Sequence, residues 1–430
     1  MQVSYLCADE SHQTDLVSSN FDHLSALVRT IPDPMATANS ISDADSTTTP
    51  VRAGLLVFVA PMAAESLEGV FANLTASFPA EEILIATPND TSGTSYSGLR
   101  VISTQATNSV WPLPATDFAN AISAAKENQA RTVLMLGPGA DSLSPAAMRD
   151  LANVVTESTF DLAVPHYSLP PNAGLINSAV LYPLTRALFG SRARFPLSID
   201  MAFSLRMAER LANTAQRFVN SNQADAILWP VSEAVVAGFS IDEVDAGARI
   251  LPQPAEPNVN AILSLVTGSL FADIEAKAAF WQRPRRLPPE QRSFPAIHGI
   301  ERDVEIAPMV EAFRLAFSNL QEIWSLVLAP NSLLGLKRLS VVEPAAFRMP
   351  ENLWARVVFD FLVAYRLRTL NRGHLLGALI PLYLAWVAGH INVVKSGTSS
   401  EVHVEAVAAA FESDKQYIVS RWRWPDRFNS

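Results

Sequence analysis

Asp200 is a carboxylate that could serve either structure or chemistry. It stands just before an amphipathic run of Phe203, Met207 and Leu211, where it can cap a helix or accept hydrogen bonds from ligand hydroxyls. His166, between Pro165 and Tyr167 at the end of an apolar run, suits either a carboxylate or phosphate partner or a purely structural bond. Arg249 and Arg131 carry guanidinium groups, which bind phosphate oxygens bidentately. Other chemistries are excluded by spacing. No Cys/His cluster suggests zinc, no Walker loop suggests ATP hydrolysis, and His298 and His374 are too far apart to be read as a site. Gly137-Pro138-Gly139 is not a dinucleotide fingerprint, because Ser142 stands where the third glycine belongs.

The elements that position these groups alternate in type. Residues 55–60 (LLVFVA) form a continuous apolar run suited to a strand buried on both faces, and Leu67, Val70, Phe71, Leu74 and Phe78 follow at helical spacing. Residues 82–86, 100–103, 131–136 and 161–165 read as further strands, with helices around Phe118 to Ala125 and Met148 to Val155. Strand-helix alternation predicts an α/β fold with a mainly parallel sheet and ligand groups at the strand carboxyl ends. Residues 283–296 (RPRRLPPEQRSFPA) hold four prolines and four arginines. They break both element types and read as a solvated linker rather than an anion site, since the arginines are merely sequential. Beyond them, 304–328, 353–370, 375–389 and 402–411 are helical in period, so an all-α domain is expected over 303–430. Residues 33–52 are rich in Ser, Thr, Asp and Pro and read as a disordered linker closing an arm over 1–53. The α/β domain then spans 54–281 and the Pro/Arg-rich linker 282–302.

With 430 residues, 49% hydrophobic and 17% charged, the chain can build more than one core. Its 32 basic and 42 acidic residues leave net −10, which opposes binding to nucleic acid or an anionic membrane. The single Cys7 can form no intrachain disulfide and the amino terminus lacks a secretory pattern, so a reducing, cytoplasmic setting is expected. Residues 375–394 are uncharged, but Pro381, His390 and Asn392 interrupt them. A buried helix is expected there in preference to a membrane span.

Residues 160–190, FDLAVPHYSLPPNAGLINSAVLYPLTRALFG, resemble the acceptor-side segment of bacterial GT-A glycosyltransferases of the glucosylglycerate and mannosylglycerate synthase type. His166-Tyr167, the turn at 174–177, the run 182–188 and Gly190 stand in the family's order and spacing. Residues 194–200 (RFPLSID) and 229–247 add to the likeness, as do Trp354, Asp360, Tyr365, 374–383 and 415–422 near the carboxyl terminus. The resemblance implies a GT-A fold, a nucleotide-diphospho-sugar donor and a small hydroxy-acid acceptor such as glycerate. It also implies a divalent cation, Mg²⁺ or Mn²⁺, bridging the donor diphosphate to an Asp-x-Asp motif and a histidine.

This chain departs from the family at the cation. Registered on Ser144-Pro145, the two aspartates fall on Gly137 and Gly139, and the histidine after the last strand falls on Leu251. None of the three offers a side-chain ligand. Asp141 is two positions late and reads as a loop or cap residue. The family's Gly/Lys-rich loop corresponds to Trp111-Pro112-Leu113-Pro114-Ala115-Thr116, without glycine or lysine. By resemblance the nucleotide-sugar would meet Ala60, Pro61, Gly137, Gly139, Asp141 and Arg249, with Asp200 as the surviving acidic group. The acceptor would meet His166, Tyr167, Asn172 (an aspartate in the family) and Asn177. A second acidic position falls on Ile227, with Asp225 nearby. No metal cofactor is expected, and restoring Gly137→Asp, Gly139→Asp and Leu251→His together is expected to rebuild one if the strand ends keep the family's geometry.

Two functions follow from the resemblance. One is a hexosyltransferase working without the usual metal, Arg249 or Arg131 neutralising the diphosphate. The other is a catalytically silent relative kept as a binding or assembly partner, as a homo-oligomer or with an active homologue. A membrane-associated subunit, resting on 375–394 alone, is the weakest reading.

Overall fold

The computed structural model describes residues 54–90, 98–106, 111–197, 199–223, 226–252, 258–283 and 304–425. The arm expected over 1–53, nearly all of the linker expected at 282–302, and Asp225 lie outside the described residues.

Seven strands form one sheet: β1 (Leu55–Val59), β2 (Ile83–Thr87), β3 (Val101–Ser103), β4 (Thr132–Leu136), β5 (Leu162–Ser168), β6 (Asp200–Ser204) and β7 (Ile241–Ala248). Their spatial order is β3-β2-β1-β4-β6-β5-β7. Every residue of β1, β2 and β4 is buried, as parallel strands covered on both faces require. The helices α1 (Ala64–Ser77), α2 (Ala115–Glu127) and α3 (Pro145–Thr156) lie along the chain between these strands. The expected α/β class with a mainly parallel sheet is the observed one.

Only β6 runs against its neighbours, pairing antiparallel with both β4 and β5. That reversal matters for the site. It places Asp200, the first residue of β6, opposite Leu136, the last of β4. β5 and β7 run parallel, with a register shift between His166 and Tyr167 that brings Tyr167 opposite Gly247 and Ser168 opposite Ala248. β5 therefore continues past the expected end at Pro165, because β7 supplies backbone partners that far. Four different segments thus end or begin at one rim of the sheet.

The rest is helical: α4 (Tyr182–Phe189), α5 (Leu205–Asn220), α6 (Pro230–Ala237), α7 (Val259–Ala276), α8 (Ala278–Trp281), α9 (Ala307–Asn319), α10 (Gln321–Val327), α11 (Pro330–Leu339), α12 (Glu351–Leu367), α13 (Arg372–Lys395), α14 (Ser400–Ser413) and α15 (Lys415–Arg423). Residues 304–328, helical in period throughout, divide into α9 and α10 at Leu320. One apolar core joins α4 and α7 to the carboxyl-terminal helices. Its polar anchors include the Trp354 indole, which donates to the Ala179 carbonyl at 2.8 Å, and Arg186, which pairs with Glu405 at 2.5 Å and Glu412 at 2.9 Å. Residues 179–186 are thereby tied to α12 and α14. α7 and α13 are long and apolar enough to cross a membrane by length and composition. α13 is packed into this core along most of its length, with Leu375, Leu379 and Leu382 at zero exposure, as expected for its apolar run.

Candidate functional site at the strand carboxyl ends

β4 ends at Leu136, and the chain then makes a tight turn through Gly137, Pro138 and Gly139. Gly139 adopts a left-handed conformation with φ of 78°, which glycine enters without steric cost. A short 3-10 turn (Ala140–Ser142) follows, and Ser144 caps α3 by accepting from the Ala147 N–H. A capping role for Asp141 is thereby ruled out, and its side chain lies exposed on the turn. Ala60 sits against this rim, its N–H donating to the Leu136 carbonyl at 2.9 Å. Pro61 is next in chain and partly exposed.

Asp200 does not cap a helix either; Ser204 caps α5, and Asp200 begins a strand instead. Its carboxylate is fully buried and saturated. Oδ1 accepts from the Gly137 N–H at 3.0 Å and Oδ2 from the Tyr167 hydroxyl at 2.6 Å. Arg249, just beyond β7, closes the group: Nε donates to Oδ2 at 3.0 Å and Nη2 to Oδ1 at 3.3 Å. Both side chains of this ion pair have zero exposure.

The guanidinium is surrounded further by the β4 turn. Nη2 donates to the Pro138 carbonyl at 2.9 Å, and Nη1 to the carbonyls of Gly139 and Ile250 and to Ser142 Oγ. Six oxygens therefore enclose it: two of a carboxylate, three carbonyls and one hydroxyl. Burial alone would favour a neutral arginine, but Asp200 outweighs it and holds the guanidinium above its ordinary pKa. Tyr167 is driven well above the usual phenol value, first by burial and then by the adjacent Asp200 charge, so it remains a donor.

Of the residues expected at the donor side, Gly137, Gly139, Asp200 and Arg249 are thus bonded to one another. The expectation that Arg249 meets a diphosphate needs correction, because all five of its N–H donors are already directed at protein oxygens. Arg131 is also misplaced for that task. It precedes β4, six residues and about 20 Å of strand from Gly137, and is exposed at the opposite rim.

The residues present do not fit a divalent cation. Gly137 and Gly139 have no side-chain ligand atoms, the Gly139 carbonyl is taken by Arg249, Leu251 packs against an apolar cluster, and the Asp200 oxygens are occupied by donors. Among the described residues, no three His, Cys, Asp or Glu side chains converge as a metal site would need. Nor is there room to restore the missing ligands. A Cβ on Gly137 would fall on the Ile199 carbonyl oxygen, and one on Gly139 would stand 2.8 Å from Arg249 Nη1. The geometry on which that restoration depended is not the one found.

A second polar cluster holds residues expected to meet the acceptor. Asn177 begins a π-helical turn (Asn177–Leu181) and donates through Nδ2 to the Arg194 carbonyl at 2.8 Å. Arg194 donates to Ser178 Oγ at 3.0 Å and pairs with Glu401 at 3.0 Å, its guanidinium lying 5.1 Å from the Phe195 ring centre. His166 packs edge-on to the same ring at 6.0 Å. Burial depresses the His166 pKa, with Glu401 raising it and Arg194 lowering it in smaller measure. Tyr167 hydrogen-bonds within the Asp200 network and also packs against the Phe195 ring, with centres 5.1 Å apart, so Phe195 lies between the two clusters. Asn177 Oδ1 and Arg194 Nη1 in this cluster, and Asn172 Oδ1 in the turn after β5, are buried hydrogen-bonding atoms with no protein partner. Glu401, on α14, has no sequence signal linking it to Arg194, 207 residues away. Ile227 is buried, its N–H donating to Ser269 Oγ at 2.9 Å.

No family model and no curated protein matches this chain. Among solved structures it is similar to glucosyl-3-phosphoglycerate synthase from Mycobacterium tuberculosis in complex with Mn²⁺, UDP and glucosyl-3-phosphoglycerate, at 16% identity and TM-score 0.35 over 52% of this chain and 80% of that one. It is also similar to mannosyl-3-phosphoglycerate synthase from Rubrobacter xylanophilus, at 14% identity and TM-score 0.37 over 54% of this chain and 78% of that one. At these values the likeness assigns neither activity nor ligand, and the α/β class rests on the strand order itself.

Proposed function

We propose that this chain is a relative of the GT-A glucosylglycerate and mannosylglycerate synthases that carries out no metal-dependent sugar transfer and acts by binding. The observation behind this is the Asp200–Arg249 ion pair, which fills the strand-end corner where the resemblance puts a cation and donor diphosphate. A transferase needs positive charge that reaches the leaving diphosphate; here the nearest guanidinium is consumed by the protein's own oxygens. The acceptor side is less altered. His166, Asn172, Asn177 and Arg194 keep polar groups, three of them with buried atoms lacking protein partners, and such groups suit a small hydroxy acid or its phosphate. Acidic net charge disfavours nucleic acid as the partner.

Calorimetric titration of the full chain with UDP- and GDP-hexoses, each with and without Mn²⁺ or Mg²⁺, and separately with glycerate and 3-phosphoglycerate, tests this. We expect no cation-dependent tightening of any nucleotide-sugar and no nucleoside diphosphate release when donor and acceptor are mixed. Release abolished by chelation and recovered with Mn²⁺ would overturn the reading.

A further inference from the structure

The six oxygens around Arg249 are the kind of shell that protein sites offer to hard cations: carboxylate, carbonyls and a hydroxyl. They come from three segments: the turn after β4 (Pro138, Gly139 and Ser142), the start of β6 (Asp200) and the residue after Arg249 itself (Ile250). The first two lie 107 to 111 and 49 residues from Arg249 in sequence, so sheet topology brings them to it. Ser142 Oγ donates to the Gly139 carbonyl, and the Gly137 N–H and Tyr167 hydroxyl donate to Asp200, but these donors are neutral, and a fully buried carboxylate is costly without a counter-charge.

We infer that this rim is a built-in cation cage whose occupant is the chain's own Arg249 guanidinium, standing in for a dissociable metal ion. The inference deepens the function proposed above and rests on its reading of this corner as the former cation site. The substitution is chemically coherent. A guanidinium supplies one fixed positive charge and five directed donors, which match six acceptors when Nη1 shares its two hydrogens among Gly139, Ser142 and Ile250. The glycines at 137 and 139 then have a physical reason. The first lets the turn pass beneath the Ile199 carbonyl, and the second leaves room for Nη1, 2.8 Å from where a Cβ would stand. Aspartates at these two positions would collide with the arrangement that replaced the metal, so side-chain ligands and the internal arginine are mutually exclusive. Tethering also changes the function of the charge. A dissociable ion can accompany a diphosphate in and out, whereas Arg249 can leave only by breaking its bonds to the turn after β4 and to Asp200.

Removing the occupant while keeping the cage is the test. Thermal unfolding of wild type, Arg249→Ala and Arg249→Ala/Asp200→Asn is followed with and without millimolar ethylguanidinium chloride, with sodium chloride at matched ionic strength as control. Arg249→Ala should melt well below wild type and be raised by several degrees by ethylguanidinium alone, while wild type and the double variant stay unmoved. Arg249→Ala that melts with wild type, or a rescue equal in all three proteins, overturns the cage. If Arg249→Ala does not fold, Arg249→Lys and Arg249→Gln decide the same point. A cage for a cation requires the lysine variant to melt higher than the glutamine variant, and an equal or reversed order overturns it. The two readings fail separately. Metal-dependent transfer by wild type would sink the proposed function alone, and absent rescue would sink the cage alone.

Discussion

Asp200 Oδ2 receives the Tyr167 hydroxyl at 2.6 Å and Arg249 Nε at 3.0 Å, so one carboxylate oxygen ties the end of β5 to the residue following β7. Oδ1 meanwhile binds the first amide after β4. Asp200 thereby fastens the start of β6 to the ends of β4, β5 and β7 through a single side chain, and its counter-charge is an arginine whose side chain has no exposure. A fully buried ion pair seldom adds stability over an apolar pair of the same volume, but breaking one half leaves an uncompensated charge.

Asp200→Asn should accordingly destabilise the protein by about 3–5 kcal/mol, since Arg249 keeps its charge and loses its partner. Urea unfolding monitored by tryptophan fluorescence measures this. A loss below about 1 kcal/mol would mean that the carbonyl and hydroxyl oxygens suffice to hold the guanidinium, and that the carboxylate is dispensable.

Glycine changes at two places should have opposite signs. Gly137→Ala forces a methyl onto the Ile199 carbonyl and should cost about 1–3 kcal/mol or more, by displacing β6 relative to β4. Gly377, inside α13, has nothing within 4 Å of a built Cβ, so Gly377→Ala should stabilise by about 0.5–1 kcal/mol through helix propensity. Paired denaturation curves give both values, and equal effects would show that the rim has slack.

Glu243 on β7 gives a pH prediction. Burial pushes its carboxyl up to about 8, with the Arg194 backbone N–H, 2.7 Å away, opposing in smaller measure. The folded state therefore holds this proton where the unfolded chain has released it. Its stabilising contribution is complete below the unfolded carboxyl value of 4.5 and is lost as pH rises through about 8. Glu243→Gln keeps an acceptor for Arg194 and removes the titration. Its advantage in unfolding free energy over wild type should grow between pH 5 and 8, by at most about 1.4 kcal/mol per pH unit, then level off. A difference independent of pH would place the charged carboxylate in the folded protein.

Local regularities were legible in the residues themselves. The apolar runs at 55–60 and 131–136 became the buried strands β1 and β4, because a strand covered on both faces must be apolar at every position. Ser144-Pro145 marked the start of α3 by capping chemistry that needs only adjacent residues. The apolar stretch at 375–394 became a buried helix, since length and composition left it few other stable places. The residues at 137, 139 and 251 were also legible as ones whose side chains carry no ligand atoms.

What surrounds these positions was decided by topology. β6 enters antiparallel between β4 and β5, a reversal that no periodicity encodes, and it converts Asp200 from a residue before a helix into the hub of the rim. The bulge between His166 and Tyr167 carries β5 far enough to present the Tyr167 hydroxyl there. Arg249 read equally well as a phosphate ligand from the chain alone, because a guanidinium's partners are set by whichever acceptors lie within about 3 Å. Those acceptors are 49 to 111 residues away in sequence, apart from the neighbouring Ile250 carbonyl. Sequence determined which groups this protein has and which it lacks; only the meeting of distant strand ends determined that the positive charge would face inward, onto its own carboxylate.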